Sequence, residues 1–403
     1  MVPRVADVFS TSSTIVRNSV HDGLASAYAS AFIALPHTYC NRPPRFSPTH
    51  FQSIKRSSAI RVRSCFQDNS PPSLRVKEFS GPSLPEDSEL GGELREEKKT
   101  QLSQGTLIWR AIKLPIYSVA LVPLSVGSAA AFYQTHIFHA EKFAILLGSA
   151  VLVIAWLNLS NDAYDAETGV DRGKQESVVN IVGSKQGVLV SAYACLILGV
   201  CGLLWVAWQT QNIQMFVLQA AAIACGYVYQ CPPFRLSYFG LGEPLCFFAF
   251  GPLSTLAFYL SQQTYRSLPV NGTIMGAATL VGITTTLILF CSHFHQIEGD
   301  RSVGKLSPLV RLGTEKGKEV VRLSVIGVYL LAFGLATLKF LPYPCAVFIG
   351  MTLPLGKLII DYVMENHENK EKIFFAKYFC VRLHAAVGAA LSLGFILAAQ
   401  ITL

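Results

Sequence analysis

Charge is what this chain has least of. Only 14% of its 403 residues are Asp, Glu, Lys or Arg, whereas a water-soluble domain carries about 25%. A hydrophobic share of 51% and a mean hydropathy of +0.40 exclude an ordinary soluble globule and point to an integral membrane protein. Paired cysteines are missing too. The ten cysteines form no CxxC, and most stand singly in apolar runs, as Cys195, Cys225, Cys291 and Cys380 do. This is cysteine used as a small buried apolar residue, and it gives no zinc or disulfide framework. The net charge of +8 is unevenly spread, so it carries no implication of nucleic acid.

Acids are almost absent from residues 1–66, where Asp7 and Asp22 face eight Lys or Arg. No long apolar run lies near the start, which argues against a secretory signal. The Ser, Thr, Ala and Arg content is that of an organelle transit peptide, and its Ser and Pro favour a chloroplast. Arg61-Val62-Arg63-Ser64-Cys65 is the candidate cleavage neighbourhood. The competing reading of the same composition is a disordered cytosolic tail. Residues 67–104 are rich in Pro, Ser, Gly and mixed charge and have no apolar stripe, so they are expected to be a disordered polar linker.

From residue 105 to 403 long apolar runs alternate with short polar ones. Nine spans are expected, at about 110–134, 141–161, 187–208, 213–230, 242–261, 272–293, 320–340, 342–363 and 379–402. The rival count is eight, with 320–363 partly re-entrant. Links after odd-numbered spans offer little beyond Lys142, Arg266 and Lys339. Links after even-numbered spans carry Arg172, Lys174, Lys185, Arg235, Arg301, Lys305, Arg311, Lys316, Lys318, Lys370 and Lys372. Basic links mark the cytoplasmic face, or the stromal face in a plastid.

Two acidic clusters stand at the edges of these runs. Asn161, Asp162, Asp165, Glu167 and Asp171 follow the second run, and Gln296, Glu298 and Asp300 follow the sixth. Four spans separate them, an even number, so both emerge on one face. Asn161 and Asp165 share a face if the helix continues, with Asp162 beside them. Acids at a membrane edge are costly unless used. Clustered oxygens suit Mg2+, which binds carboxylates together with phosphate oxygens. Arg172, Lys174, Arg301 and Lys305 follow the acids and are candidates for diphosphate oxygens. Arg235, after the helix-stopping Pro232-Pro233, is either another phosphate ligand or a positive-inside anchor. Tyr164, Tyr227 and Tyr229 are candidates for stabilising a carbocation, or they pack at the membrane interface. His293 and His295 are candidates to take a phenolic proton, or they make structural hydrogen bonds.

The order of these features resembles the UbiA-type intramembrane prenyltransferases. The residues that carry the resemblance are Asn161-Asp162-x-x-Asp165 with Gly169 and Asp171, Pro232-Pro233-x-Arg235-Leu236 with Gly240-Leu241-Gly242-Glu243, and the second acidic loop. Ser292 to Gln296 and Gly304 to Gly313 resemble the plant and cyanobacterial members of the branch that prenylates 1,4-dihydroxy-2-naphthoate. The resemblance covers about residues 105–403. It implies an all-α bundle of nine transmembrane helices around a central cavity, and a Mg2+-bound isoprenoid diphosphate between two acidic motifs. It implies metal-binding roles for Asn161, Asp165 and Asp171 in the first motif and for Asp300 in the second. Gln296 stands where many members have Asp, and Glu298 is the candidate to compensate. The implied activity is transfer of a phytyl or other prenyl group to the naphthoate with loss of CO2, a step of phylloquinone synthesis in a chloroplast membrane. Homogentisate and chlorophyllide are the alternative acceptors. A transporter is the reading from another class, although transporters place ionisable groups mid-membrane.

Overall fold

The computed structural model describes residues 114–169, 177–263 and 268–402. The leader and the linker lie outside the described residues, as do Asp171, Arg172 and Lys174. Among the described residues there are helices and turns and no strand.

Among the described residues eight helices are long and apolar enough to cross a membrane, and a bent pair supplies a ninth span. They are α1 (Ser118–Thr135), α2 (Ala140–Thr168), α3 (Lys185–Thr210), α4 (Ile213–Gln230), α5 (Gly242–Ser261), α6 (Gly272–His293, running on in turns to Ser302), α7 (Pro308–Thr337), the bent pair α8 (Tyr343–Gly350 and Leu353–Asn366) and α9 (Ala376–Ile401). The nine-span expectation is met only with α8 counted as one span, because its halves meet at 45°. Pro354, in the first turn of the second half, has no N–H to continue the ladder. The Tyr329 hydroxyl donates to the Thr352 carbonyl at the break (2.9 Å).

Caps fix where several helices begin. Asn212 accepts from the N–H groups of Gln214 and Met215, Asn271 from those of Thr273 and Ile274, and Ser184 from that of Gly187. α2 runs well past the expected 161 and ends at Gly169, which takes the left-handed conformation (φ 82°). Its last two turns therefore lift Asn161, Asp162 and Asp165 out of the apolar stretch. α6 likewise outruns its expected end at 293, passing through a 3-10 turn at Phe294–Gln296 into Ile297–Ser302.

The bundle packs through small residues. α2 lies most extensively against α3, α1 against α9 and α5, and α6 against α9 and α5. A Cβ placed on Gly127 of α1 would stand 2.6 Å from the Thr255 carbonyl oxygen of α5. Such close approach raises dispersion contact where lipid offers no hydrophobic gain. α5 contains a π-helical turn, Ala249–Leu253, with Pro252 inside it. π-turns of this kind often lie at functional sites, and here Ala249 and Phe250 face the central cavity.

Candidate active site

The helix ends on the basic side surround one cavity of about 360 Å3. Ala150, Ile154 and Leu157 of α2, Leu203 of α3, Ile223 of α4, Phe258 of α5 and Ile288 of α6 give it an apolar lining deep among the helices. From Ala150 to Asn161 the helix rises roughly 16 Å, so the apolar stretch suits a long chain. At the mouth the lining turns polar, with Asn158, Asn161, Asp162, Asp165, Tyr229, His293, His295, Gln296, Lys305 and Lys377. The two motifs expected to share a face thus line one cavity.

Each cluster is braced. Asn161 donates its amide to Asp165 Oδ2 (3.1 Å), and its carbonyl oxygen is a further donor atom suited to a cation. Asp162 is buried and accepts the Val178 N–H (3.2 Å), clamping the short helix Val178–Val182 against α2. Asp300 is fully buried beneath the second loop, where Lys305 Nζ lies 3.3 Å from Oδ1. Neither Asp300 oxygen has a hydrogen bond. A buried carboxylate in that condition is costly, and a hard divalent cation would relieve it. Asn161, Asp165, Gln296 and Asp300 are oxygen donors of the kind Mg2+ prefers, so the residues present fit that ion.

The α4–α5 link ties the clusters together. Arg235 Nη2 pairs with Glu167 Oε2 (2.8 Å) and Lys185 Nζ with Oε1 (3.4 Å). The Tyr238 hydroxyl donates to Thr168 (2.8 Å) at the end of α2. On its other side the Tyr238 carbonyl accepts the Leu306 N–H (2.8 Å), and Arg311 donates to the Phe239 carbonyl (2.7 Å). Burial pushes the Tyr238 phenol pKa up; the Thr168 hydrogen bond opposes this, and the charges of Asp165 and Asp300 add to it. One phenol feels both acids, so they share one electrostatic neighbourhood.

Several expected residues stand elsewhere. Glu298 faces solvent, with 76% of its side chain exposed, and pairs with Lys370 (2.9 Å), so it does not compensate for Gln296 at the cavity wall. Gln296, just before the helical turn Ile297–Ser302, lines the cavity; within the turn Asp300 is fully buried and is not itself a lining residue, and Glu298 faces outward. Arg301 is exposed as well. Arg235 is engaged by Glu167 rather than open to the cavity. Tyr164 shares a hydrogen bond with Tyr193 (3.0 Å), and Tyr227 packs edge-on to Phe234; of the three tyrosines, Tyr229 lines the cavity. His293 Nδ1 bonds Glu243 Oε1 (2.9 Å), while His295 stacks edge-on to Phe374 at 4.9 Å between centroids.

The sequence reading missed Lys377 and Tyr238. Lys377 lines the mouth with its ammonium 3.8 Å above the Phe374 ring and 5.3 Å from that of Tyr378. The available signal was the aromatic cluster Phe374, Phe375 and Tyr378 around a lysine, just after the basic pair Lys370 and Lys372.

These features define a class: a multi-span membrane protein whose apolar cavity opens between two oxygen-rich helix ends. The chain belongs to the UbiA prenyltransferase family, whose pattern it matches over residues 120–381. It is 56% identical over 304 residues to the chloroplastic 2-carboxy-1,4-naphthoquinone phytyltransferase of Arabidopsis thaliana, covering 75% of this chain and 80% of that one. It is 43% identical over 286 residues to the 2-carboxy-1,4-naphthoquinone phytyltransferase of Synechocystis, covering 71% of this chain and 91% of that one. Among solved structures, a UbiA homolog from Archaeoglobus fulgidus bound to DMAPP and Mg2+ aligns with 70% of this chain and 97% of that one, at TM-score 0.47 and 17% identity.

Proposed function

We propose that this protein transfers a phytyl group from phytyl diphosphate to 1,4-dihydroxy-2-naphthoate with loss of CO2, forming the prenylated ring of phylloquinone in a chloroplast membrane. The observation that carries the chemistry is the joining of Asn161 and Asp165 to Gln296 and Lys305 at the mouth of one apolar cavity. The 56% and 43% identities to phytyltransferases support the choice of donor and acceptor. Residues 1–66 serve in this reading as the transit peptide, 67–104 as a polar linker and 105–403 as the transferase domain.

Asn161, Asp165, Gln296 and Asp300 would hold Mg2+, with Asp171 joining them by its place in the first motif. The ion would neutralise the diphosphate as the allylic C1–O bond breaks. Lys305, with Arg172 and Lys174 from the first loop, offers cationic donors to the same oxygens. The apolar wall holds the phytyl chain and keeps water from the developing carbocation, whose capture by water would waste the donor. Tyr229, whose side chain lines the cavity, offers a π-face to that positive charge. The acceptor ring then attacks through the carbon that bears the carboxylate, and departure of CO2 restores aromaticity. Attack requires an electron-rich ring. The acceptor therefore reacts as the dihydroxy form, the two-electron-reduced partner of a carboxynaphthoquinone.

The test is an assay of purified full-length protein in lipid nanodiscs with phytyl diphosphate and, separately, dihydroxynaphthoate, homogentisate and chlorophyllide. Mass spectrometry should find the prenylated, decarboxylated naphthoquinol. Transfer to homogentisate or chlorophyllide in its place would overturn the reading.

A further inference from the structure

His293 at the cavity mouth is paired with a buried carboxylate behind it, Glu243, that the cation and diphosphate do not use. His293, near the end of α6, and Glu243, in the first turn of α5, are both buried, with side chains 4% and 9% exposed. Nδ1 of the imidazole lies 2.9 Å from Oε1 of the carboxylate. The other carboxylate oxygen, Oε2, is sealed in the protein with no hydrogen-bond partner. A carboxylate held this way costs stability, and such costly buried groups cluster at functional sites.

The open atom of the pair is on the histidine. His293 lines the cavity, its only hydrogen bond is the one through Nδ1, and Nε2 is not among the sealed polar atoms. The ring therefore presents Nε2 to the cavity. His384 shows the contrast: its Nδ1 is bonded to Thr284 (2.9 Å), but its Nε2 is closed off by packing. A carboxylate accepting Nδ1–H fixes the neutral tautomer in which Nε2 carries the lone pair. His295 is placed differently: its ring packs edge-on to Phe374, and its Nε2 meets the Gln296 amide at 3.4 Å.

We infer that His293 is the proton acceptor for the aromatic substrate and that Glu243 is its positioning residue. The inference rests on reading the cavity as a prenyl-transfer site. Nε2 takes the proton of the hydroxyl beside the carboxyl-bearing carbon, and the O–H electron pair becomes a carbonyl π-bond as that carbon bonds to C1 of the prenyl chain. The C1–O pair leaves with the diphosphate. The ring–carboxylate bond then breaks, CO2 departs, its electron pair restores the aromatic ring, and the oxygen recovers its proton from Nε2. No net proton is needed, so a single buried base is sufficient.

The experiment compares wild type with His293→Gln, Glu243→Gln and Glu243→Asp in nanodiscs, measuring kcat, both KM values and, by titration, phytyl diphosphate binding. His293→Gln should lower kcat on the order of a hundredfold, the low end of general-base effects, with the diphosphate KM and affinity unchanged. Glu243→Gln should lower kcat by roughly tenfold, as loss of an orienting partner does, and Glu243→Asp, which keeps the charge, should retain more activity than Glu243→Gln. Undiminished kcat in His293→Gln would overturn the inference. So would loss of diphosphate binding in step with activity, which would assign the pair to packing. Absence of transfer by the wild type would instead count against the functional reading beneath it.

Discussion

At the residue scale, position on the last turns of α2 and α6 separates acids that composition treats alike. Asp165 faces the cavity and accepts from Asn161, whereas Glu298 points into solvent toward Lys370. An exposed ion pair is worth little, but under the proposed function the Asp165 carboxylate would hold the cation that neutralises the departing diphosphate, where water is excluded. Asp165→Ala should therefore lower kcat/KM on the order of a hundredfold or more, and Glu298→Ala should leave it close to wild type. Steady-state assays of the two purified variants check the pair, and equal losses would refute the assignment of inner and outer acids. Much of this difference was hidden in the sequence. Asn161 and Asp165 were legible because they are four apart on a continuing helix. The outward turn of Glu298 was not, because a loop was expected where the chain makes a 3-10 turn and another helical turn.

At the scale of elements, close helix contact depends on a few glycines. Gly127 brings α1 against the backbone of α5, where an added Cβ would meet Thr255 O at 2.6 Å and Tyr259 N at 2.8 Å. Backbone atoms cannot swing aside as a side-chain tip can, so the helices must separate. Gly127→Ala should cost about 1–3 kcal/mol, the range for overpacking a tight core. Gly148→Ala is the matched control: nothing lies within 4 Å of a Cβ there, on an exposed face of α2. It should be neutral or stabilising, by up to about 1 kcal/mol from helix propensity. Thermal unfolding in detergent distinguishes them, and equal melting temperatures would refute the packing argument. Element existence was legible in the sequence because each apolar run is long enough to span. The bend in α8 was visible only as the rival eight-span count, since the prolines in this apolar run, Pro342, Pro344 and Pro354, do not by themselves reveal where the helix will break.

At the scale of the molecule, function depends on joining segments far apart in the chain. The α4–α5 link does the joining, with Arg235 and Tyr238 on the end of α2 and the Tyr238 and Phe239 carbonyls on the loop after α6. The two halves of the oxygen set thus meet without touching in sequence. If that set holds a cation, chelation with EDTA should abolish transfer and lower the melting temperature, because the ion would offset the buried Asp300 carboxylate, and added Mg2+ should restore both. Full transfer in EDTA, measured on the purified protein, would remove the cation from the reading.

The sequence by itself determined the membrane class, the approximate spans and the common face of the two acidic clusters. Hydropathy and span parity are local sums that need no tertiary contact. Only the tertiary structure decided which polar atoms face the cavity. Glu298 turned out and Gln296 in, Arg235 was taken by Glu167, and Lys377 and the Glu243-bonded His293 were brought to the mouth. Orientation about a helix axis depends on the exact turn at which the helix begins or changes pitch, and a shift of one residue rotates a side chain by about 100°. No count of charges or apolar residues contains that angle.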